Sequence, residues 1–287
     1  MKVFFVGGQN IDKIIKIYRS IDEMNIYLAG LHGRENMLKE FIQTCQTLLS
    51  KPPDKNNSIQ STLMVLESFY YMNKNTLELM PYYSDFLLDS GAFSFMTNSK
   101  TSKNINWDEY IDKYIAFINQ YDIKHFFELD IDSIVGYDAV LDIRKRINRQ
   151  TGKLCIPVWH KSRGIGEFKK MCSENPYVAI GGIVAGEFTK QEKEKFPLLI
   201  REAHRRGSKI HGLGFTNVNA LPYCHFDSVD STAWATGNRF GAIYKFTGTT
   251  MVRINKKDGQ RLKDHRWAAV NNFSEWIKFQ RYALTHL

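Results

Sequence analysis

The chain is sparing with the features that most quickly betray a protein's class. It holds four cysteines, Cys45, Cys155, Cys172 and Cys224, and no two are close enough to form a CxxC clip. That spacing argues against a structural zinc site and for reduced, buried thiols in a cytoplasmic protein. No apolar run approaches the ~18 residues of a membrane span, so no membrane partner is expected. The opening stretch Val3–Val6 meets Gly7-Gly8-Gln9-Asn10 before it is long enough for a signal-peptide core. Repeats and low-complexity tracts are absent, and Lys51-Pro52-Pro53-Asp54 reads only as a surface loop. No Gly-x-Gly-x-x-Gly follows the first strand, which argues against a dinucleotide site.

What remains is an ordinary globular composition over 287 residues, 43% hydrophobic and 24% charged, enough for one large core. The net charge is +9, unevenly spread. From Gly237 to Leu287 there are ten Lys/Arg against three Asp/Glu, a balance of +7. Such a segment suits phosphate binding, although a solvated surface explains the charge equally well.

Apolar β-type runs recur at Val3–Val6, Ile26–Ala29, Phe86–Leu88, His125–Asp130, Leu154–Trp159, Val178–Ile180, Lys209–Leu213 and His225–Asp230. Amphipathic helical patterns separate several of them, as at Trp107–Tyr121, started by Asn106, and Lys190–Arg206, closed by Gly207. Strands alternating with helices indicate a parallel sheet, and eight runs suit an α/β fold of the (β/α)8 TIM-barrel type. An open doubly wound sheet is the alternative. Two units are irregular: the Ala29–Phe86 connection must hold more than one helix, and Leu213–His225 is too short for a full one. The expected organisation is a catalytic barrel over 1–236 and a basic C-terminal extension, 237–287, packed on it.

Polar groups follow the apolar runs: Asp89-Ser90-Gly91, Asp130 and Asp132, His160, Gly181-Gly182, His211-Gly212 and Asp230. In a barrel these positions converge at the C-terminal face, where active sites are built. Alternation puts Glu128, Asp130 and Asp132 on one face, where three unpaired carboxylates would repel and call for a donor-rich or cationic ligand. Alternation also sets Asp227 and Asp230 on opposite faces, so at most one belongs to a site.

Taken in order, these segments resemble the tRNA-guanine transglycosylase family. Asp89-Ser90-Gly91-Ala92-Phe93 is similar to its Asp-Ser-Gly-Gly-aromatic motif, with Ala92 replacing the second glycine. Leu129-Asp130 resembles its base-recognition aspartate, and Gly181-Gly182-Ile183-Val184-Ala185-Gly186-Glu187 its Gly-Gly-Leu-x-x-Gly-Glu segment. Ile210-His211-Gly212-Leu213-Gly214 is similar to its Met-Gly-x-Gly strand end, and Asp227-Ser228-Val229-Asp230-Ser231 has the spacing of its Asp-x-x-Asp-Cys motif. His160 stands where the family has a base-contacting glutamine. The resemblance spans Phe86 to Trp234 and excludes residues 1–80 and the tail. The family's zinc site, three Cys and one His, has no counterpart here. The chain is also shorter than the tRNA enzymes usually are, and looks more like the compact, often phage-encoded relatives that modify DNA in the bacterial or infected-host cytoplasm.

The resemblance implies base exchange on an intact backbone: guanine leaves, and a 7-deazaguanine such as 7-cyano-7-deazaguanine enters. Asp230 is then the nucleophile at C1′ and Asp89 the general acid and base, with no metal and no cofactor required. Asp130, supported by Asp132, would accept from guanine N1–H and the 2-amino group. Ser90 and His160 would address the opposite edge, Gly181 and Gly182 would admit the ring, and Phe93 and His211 would sandwich it. A target base must leave its stack to react. Lys256, Lys257, Arg261, Lys263 and Arg266 would hold the backbone meanwhile, with Trp234 and Arg239 near flanking nucleotides. DNA is the expected polymer and tRNA the alternative. Two rival classes fit parts of the pattern: a non-catalytic docking subunit, which would not need both Asp89 and Asp230, and a carbohydrate-active barrel, which leaves the basic tail unexplained. Family members are often dimeric, but the sequence carries no interface signature.

Overall fold

The strands are short because each needs only to cross a barrel wall. In the computed structural model, which describes residues 24–41, 63–92, 94, 105–215, 217–255 and 264–287, they are β1 (Asn25–Ala29), β2 (Met64–Ser68), β3 (Asp85–Asp89), β4 (His125–Phe126), β5 (Val158–Trp159), β6 (Tyr177–Ile180), β7 (Lys209–Gly212) and β8 (Ser228–Ser231). All neighbouring pairs run parallel, in the order β4-β3-β2-β1-β8-β7-β6-β5. A parallel bridge between Phe127 and Ile156 joins the two ends of that order. There the Glu128 amide donates to Ile156 O at 3.0 Å and the Ile156 amide to Phe126 O at 2.8 Å. The sheet therefore closes on itself. The seam is brief because the next donor along it, the Val158 amide, goes to the Glu128 side chain at 2.8 Å instead of to a backbone carbonyl of the facing strand.

Both faces of the wall are buried, as the continuous apolar runs require. Tyr27, Leu66, Leu87, Phe127, Val158 and Ala179 fill the interior. Their neighbours Ile26, Leu28, Val65, Val178, Ile180, Ile210 and Val229 face outward beneath the helices. The helices that matter below are α1 (Trp107–Gln120), α2 (Tyr137–Thr151), α3 (Gly164–Glu174), α4 (Phe196–Arg205), α5 (Ala233–Arg239) and α6 (His265–His286). In α1, Asn106 Oδ1 accepts the Glu109 amide at 3.2 Å, and Ile111, Tyr114, Ile115 and Ile118 form the i, i+3, i+4, i+7 stripe that turns to the wall.

The expected strand Val3–Val6 lies outside the described residues. The structure corrects four other sequence expectations. The Ala29–Phe86 connection, for which only helices were expected, also holds a strand of the sheet, β2. Met64-Val65-Leu66-Glu67 mixes good helix formers with a carboxylate, so its pattern hides a strand. The Lys190–Arg206 helix is two, Lys190–Lys193 and α4, because Pro197 at the start of α4 cannot donate back into a preceding turn. The strand expected at His125–Asp130 stops at Phe126, and Asp132 begins a short helix, Asp132–Val135. Finally, His225, with a left-handed φ of 56°, caps the one-turn helix Leu221–Cys224 rather than opening β8.

The C-terminal segment is stitched into the barrel. An antiparallel hairpin, β9 (Ala242–Phe246) and β10 (Met251–Asn255), leads towards α6. Phe273, Trp276, Phe279 and Ala283 of α6 belong to the same outer core as the strands. Two fully buried amides fix the docking: Asn272 accepts the Tyr244 amide at 2.7 Å, and Gln280 donates to Met64 O at 2.9 Å and to Ile26 O. Losing either would strand backbone groups in the interior. Among the described residues no helix is long and apolar enough to cross a membrane.

Candidate active site at the barrel mouth

Asp89 ends β3 and Asp230 lies on β8, so the wall carries both to its C-terminal end. The backbone turns sharply after Asp89, and its Oδ2 accepts the Gly91 amide at 3.0 Å. Gly91 has φ 82°, and a Cβ there would lie 2.7 Å from Tyr70 and 2.9 Å from the Tyr110 hydroxyl, so only glycine makes this turn. Burial pushes the Asp89 carboxyl up to about 6, and the charges of Asp230 and Asp130 push the same way against the Gly91 hydrogen bond. Asp230 is 7% exposed, and its Oδ1 accepts the Gly214 amide at 2.7 Å and faces His211 Nε2 at 3.2 Å. The two carboxyls share one mouth in different settings: burial favours the proton on Asp89, while Asp230 meets the Gly214 amide and the His211 ring.

The second half of the mouth is a network of charges. Asp130 Oδ2 lies 2.5 Å from His160 Nε2, and its Oδ1 accepts from Arg163 Nη2 at 3.2 Å. His160 Nδ1 lies 2.6 Å from Glu187 Oε1. Burial opposes an imidazolium there, but the hydrogen bonds and charges of Asp130 and Glu187 outweigh it and raise the His160 pKa to about 9. Arg163, with its side chain 4% exposed, also donates to Asp132 at 3.0 Å and to Val158 O, and its guanidinium lies 4.4 Å from the centre of the Tyr137 ring. Glu128 is fully buried beneath, taking Arg144 Nε at 2.6 Å and the Val158 amide at 2.8 Å.

These contacts revise several sequence roles. The three acids at 128–132 do not await a cation, since Arg144 and Arg163 supply the charge. Asp132 faces Arg163 and holds it in place. Gly181 and Gly182 do make room, but for protein: a Cβ at Gly181 would lie 2.7 Å from His160 Nε2, and one at Gly182 (φ 73°) 2.2 Å from the Glu187 carboxyl. His211 is fully buried, with Nδ1 2.5 Å from Ser228 Oγ, so it braces Asp230 and cannot stack on a ligand. Ser90 is 1% exposed, and its carbonyl accepts the Tyr110 hydroxyl at 2.6 Å, so it offers little to a base. Trp234 is fully buried and its indole donates to Ala29 O at 2.8 Å, which removes it from any nucleic-acid surface. Arg266 is exposed at the start of α6 and paired with Glu40. Phe93, Lys256, Lys257, Arg261 and Lys263 lie outside the described residues, as does the side chain of Arg239. Asp227 precedes β8 and takes His204 Nε2 at 2.8 Å and the Ile210 amide at 2.7 Å, pinning α4 to β7.

Arg163, Arg144 and the part played by Glu187 escaped sequence reasoning. The available signal was the acid cluster itself, which demands cations from elsewhere in the chain. Among the described residues no three of His, Cys, Asp and Glu are grouped to hold a metal ion. Burial pushes the thiols of Cys155, Cys172 and Cys224 upward, so none is an activated nucleophile.

The arrangement is that of a closed β/α barrel with acid–base groups at its C-terminal face. Comparison with known proteins supports the barrel and goes no further. No family model matches the chain, and no curated protein matches it. Among solved structures it is similar to a protein from Coccidioides immitis, provisionally described as a fructose-1,6-biphosphate aldolase, with a TM-score of 0.51 over 96% of this chain and 95% of that one. At 9% identity that likeness is one of fold alone.

Proposed function

We propose that this protein is a transglycosylase that exchanges guanine in a nucleic acid, DNA in preference to tRNA, for a 7-deazaguanine base. The observation that carries the reading is the pairing of Asp89 and Asp230 at one mouth in different environments. Asp230 Oδ attacks C1′ of the target nucleotide as the C1′–N9 bond breaks. The bonding electrons leave with the purine, and Asp89 delivers the proton that neutralises it. The sugar is then held as an ester of Asp230. In the second half Asp89 takes the proton of the incoming base, whose nitrogen displaces Asp230 from C1′. Asp130 accepts from the base's N1–H and 2-amino group. A carboxylate has about four acceptor sites, so the His160 and Arg163 contacts fix Asp130 without using it up. Orientation of this kind is a large part of what such a site contributes.

The test supplies labelled guanine with DNA or with tRNA. Incorporation into DNA supports the reading, and incorporation into tRNA alone reassigns the polymer. No incorporation into either, with binding intact, makes the chain a docking subunit.

A further inference from the structure

A second recess opens beside Asp230 and has no part in the base chemistry. Its volume is about 750 Å³, within the range of sites that enclose a sizeable ligand and more than a free purine needs. Its walls are the segment after β6 with Ile183 and Val184, the helix Lys190–Lys193, the turn Leu221–Cys224 and the hairpin β9–β10. Its inner edge is continuous with the nucleophile: Gly214, whose amide holds Asp230, and Thr232, two residues beyond Asp230, both line it.

Resting on the transglycosylase reading, we infer that this cleft holds the polynucleotide strand flanking the reacting nucleotide. Lys190, Lys193 and Arg253 take the phosphates, and Tyr223 offers a ring to a neighbouring base. The three cations face into the cleft against one carboxylate, Glu194. Among the described residues none of the three is paired with an acid. Glu192, which stands between the two lysines in sequence, is turned away to Lys161 at 2.6 Å and to the Thr189 amide. Tyr223 is 72% exposed on a turn whose Leu221 and Cys224 are buried, so the ring stands on a fixed base. Unpaired cations beside an exposed aromatic ring suit a single strand, where phosphates and base faces both need partners. A strand lying here would run past Asp230, as a nucleotide turned into the barrel mouth requires.

Binding of a fluorescein-labelled single-stranded oligodeoxynucleotide, followed by anisotropy over a salt series on the full chain, tests this without catalysis. Lys190→Glu with Lys193→Glu should weaken binding at least tenfold at low salt. Two lost phosphate contacts should flatten the log–log salt dependence by about 1.4. Tyr223→Ala should weaken binding about tenfold with the slope unchanged. Lys169→Glu with Lys170→Glu makes the same charge change on exposed positions of α3 and should cost little. Cleft variants that bind like the parent, or that alter only self-association in sedimentation, would overturn the assignment and leave the transglycosylase reading standing. Weakened binding in the cleft variants, with no guanine exchange by the parent on any polymer, would keep the cleft and remove that reading.

Discussion

The two halves of the barrel mouth use the same side chains in opposite ways. On the side of β4 to β6, Asp130, Asp132, Glu128 and Glu187 each meet an arginine or the His160 imidazolium. On the side of β3 and β8, Asp89 and Asp230 meet backbone amides and His211, and among the described residues no arginine or lysine pairs with either. A carboxylate answered by a cation is fixed in charge and position, which suits recognition. One whose burial favours its proton, as at Asp89, has a proton to exchange, and the proposed division of roles rests on that contrast.

The contrast can be broken most completely at Asp230. Asp230→Ala should reduce base exchange to background in a labelled-guanine assay, because no other carboxylate occupies its place. Asp89→Asn keeps the shape but cannot shuttle a proton, and a loss of about 10²–10⁴-fold in kcat is expected. The parent's rate of base release should fall as pH rises through about 6, where Asp89 loses its proton, and the variant's should not.

On the other half the effects should appear in stability. Arg163→Ala leaves Glu128, Asp130 and Asp132 without their shared cation, a loss of about 3–5 kcal/mol in denaturant unfolding. His160 has its pKa raised from 6.5 to about 9, so the stability it lends is complete below 6.5 and lost as pH rises through 9. Thermal unfolding of the parent should therefore weaken across that window by up to about 3 kcal/mol, and His160→Gln should flatten the change. The smallest effect on exchange should come from Asp227→Asn, whose carboxyl pins α4 to β7 and should register mainly in melting temperature.

How much of this was legible beforehand depends on how local the cause is. Asp89-Ser90-Gly91 and Gly181-Gly182 announce strand ends because the turn chemistry lies within three residues. The barrel was readable from recurring apolar runs, but β2 was not, since Glu67 interrupts its run. Burial pushes that carboxyl up to about 8, and its Oε1 accepts the Leu31 amide at 3.1 Å, a partner no local pattern reveals. The ion network was hidden for the same reason. Glu128 finds Arg144 and Arg163 at separations of 16 and 35 residues, which no local pattern connects. His211 and Trp234 were given ligand contacts because polar and aromatic residues near a motif invite it, and their complete burial shows the limit of proximity in sequence.

The central claim is that Asp230, and not its neighbour Asp227, forms a bond to the sugar. Trapping the polymer on the protein and resolving the mixture on a denaturing gel tests it directly. The account predicts a covalent band for the parent and for Asp227→Asn, and none for Asp230→Ala. A band that survives in Asp230→Ala and disappears in Asp227→Asn would contradict it and move the nucleophile to Asp227.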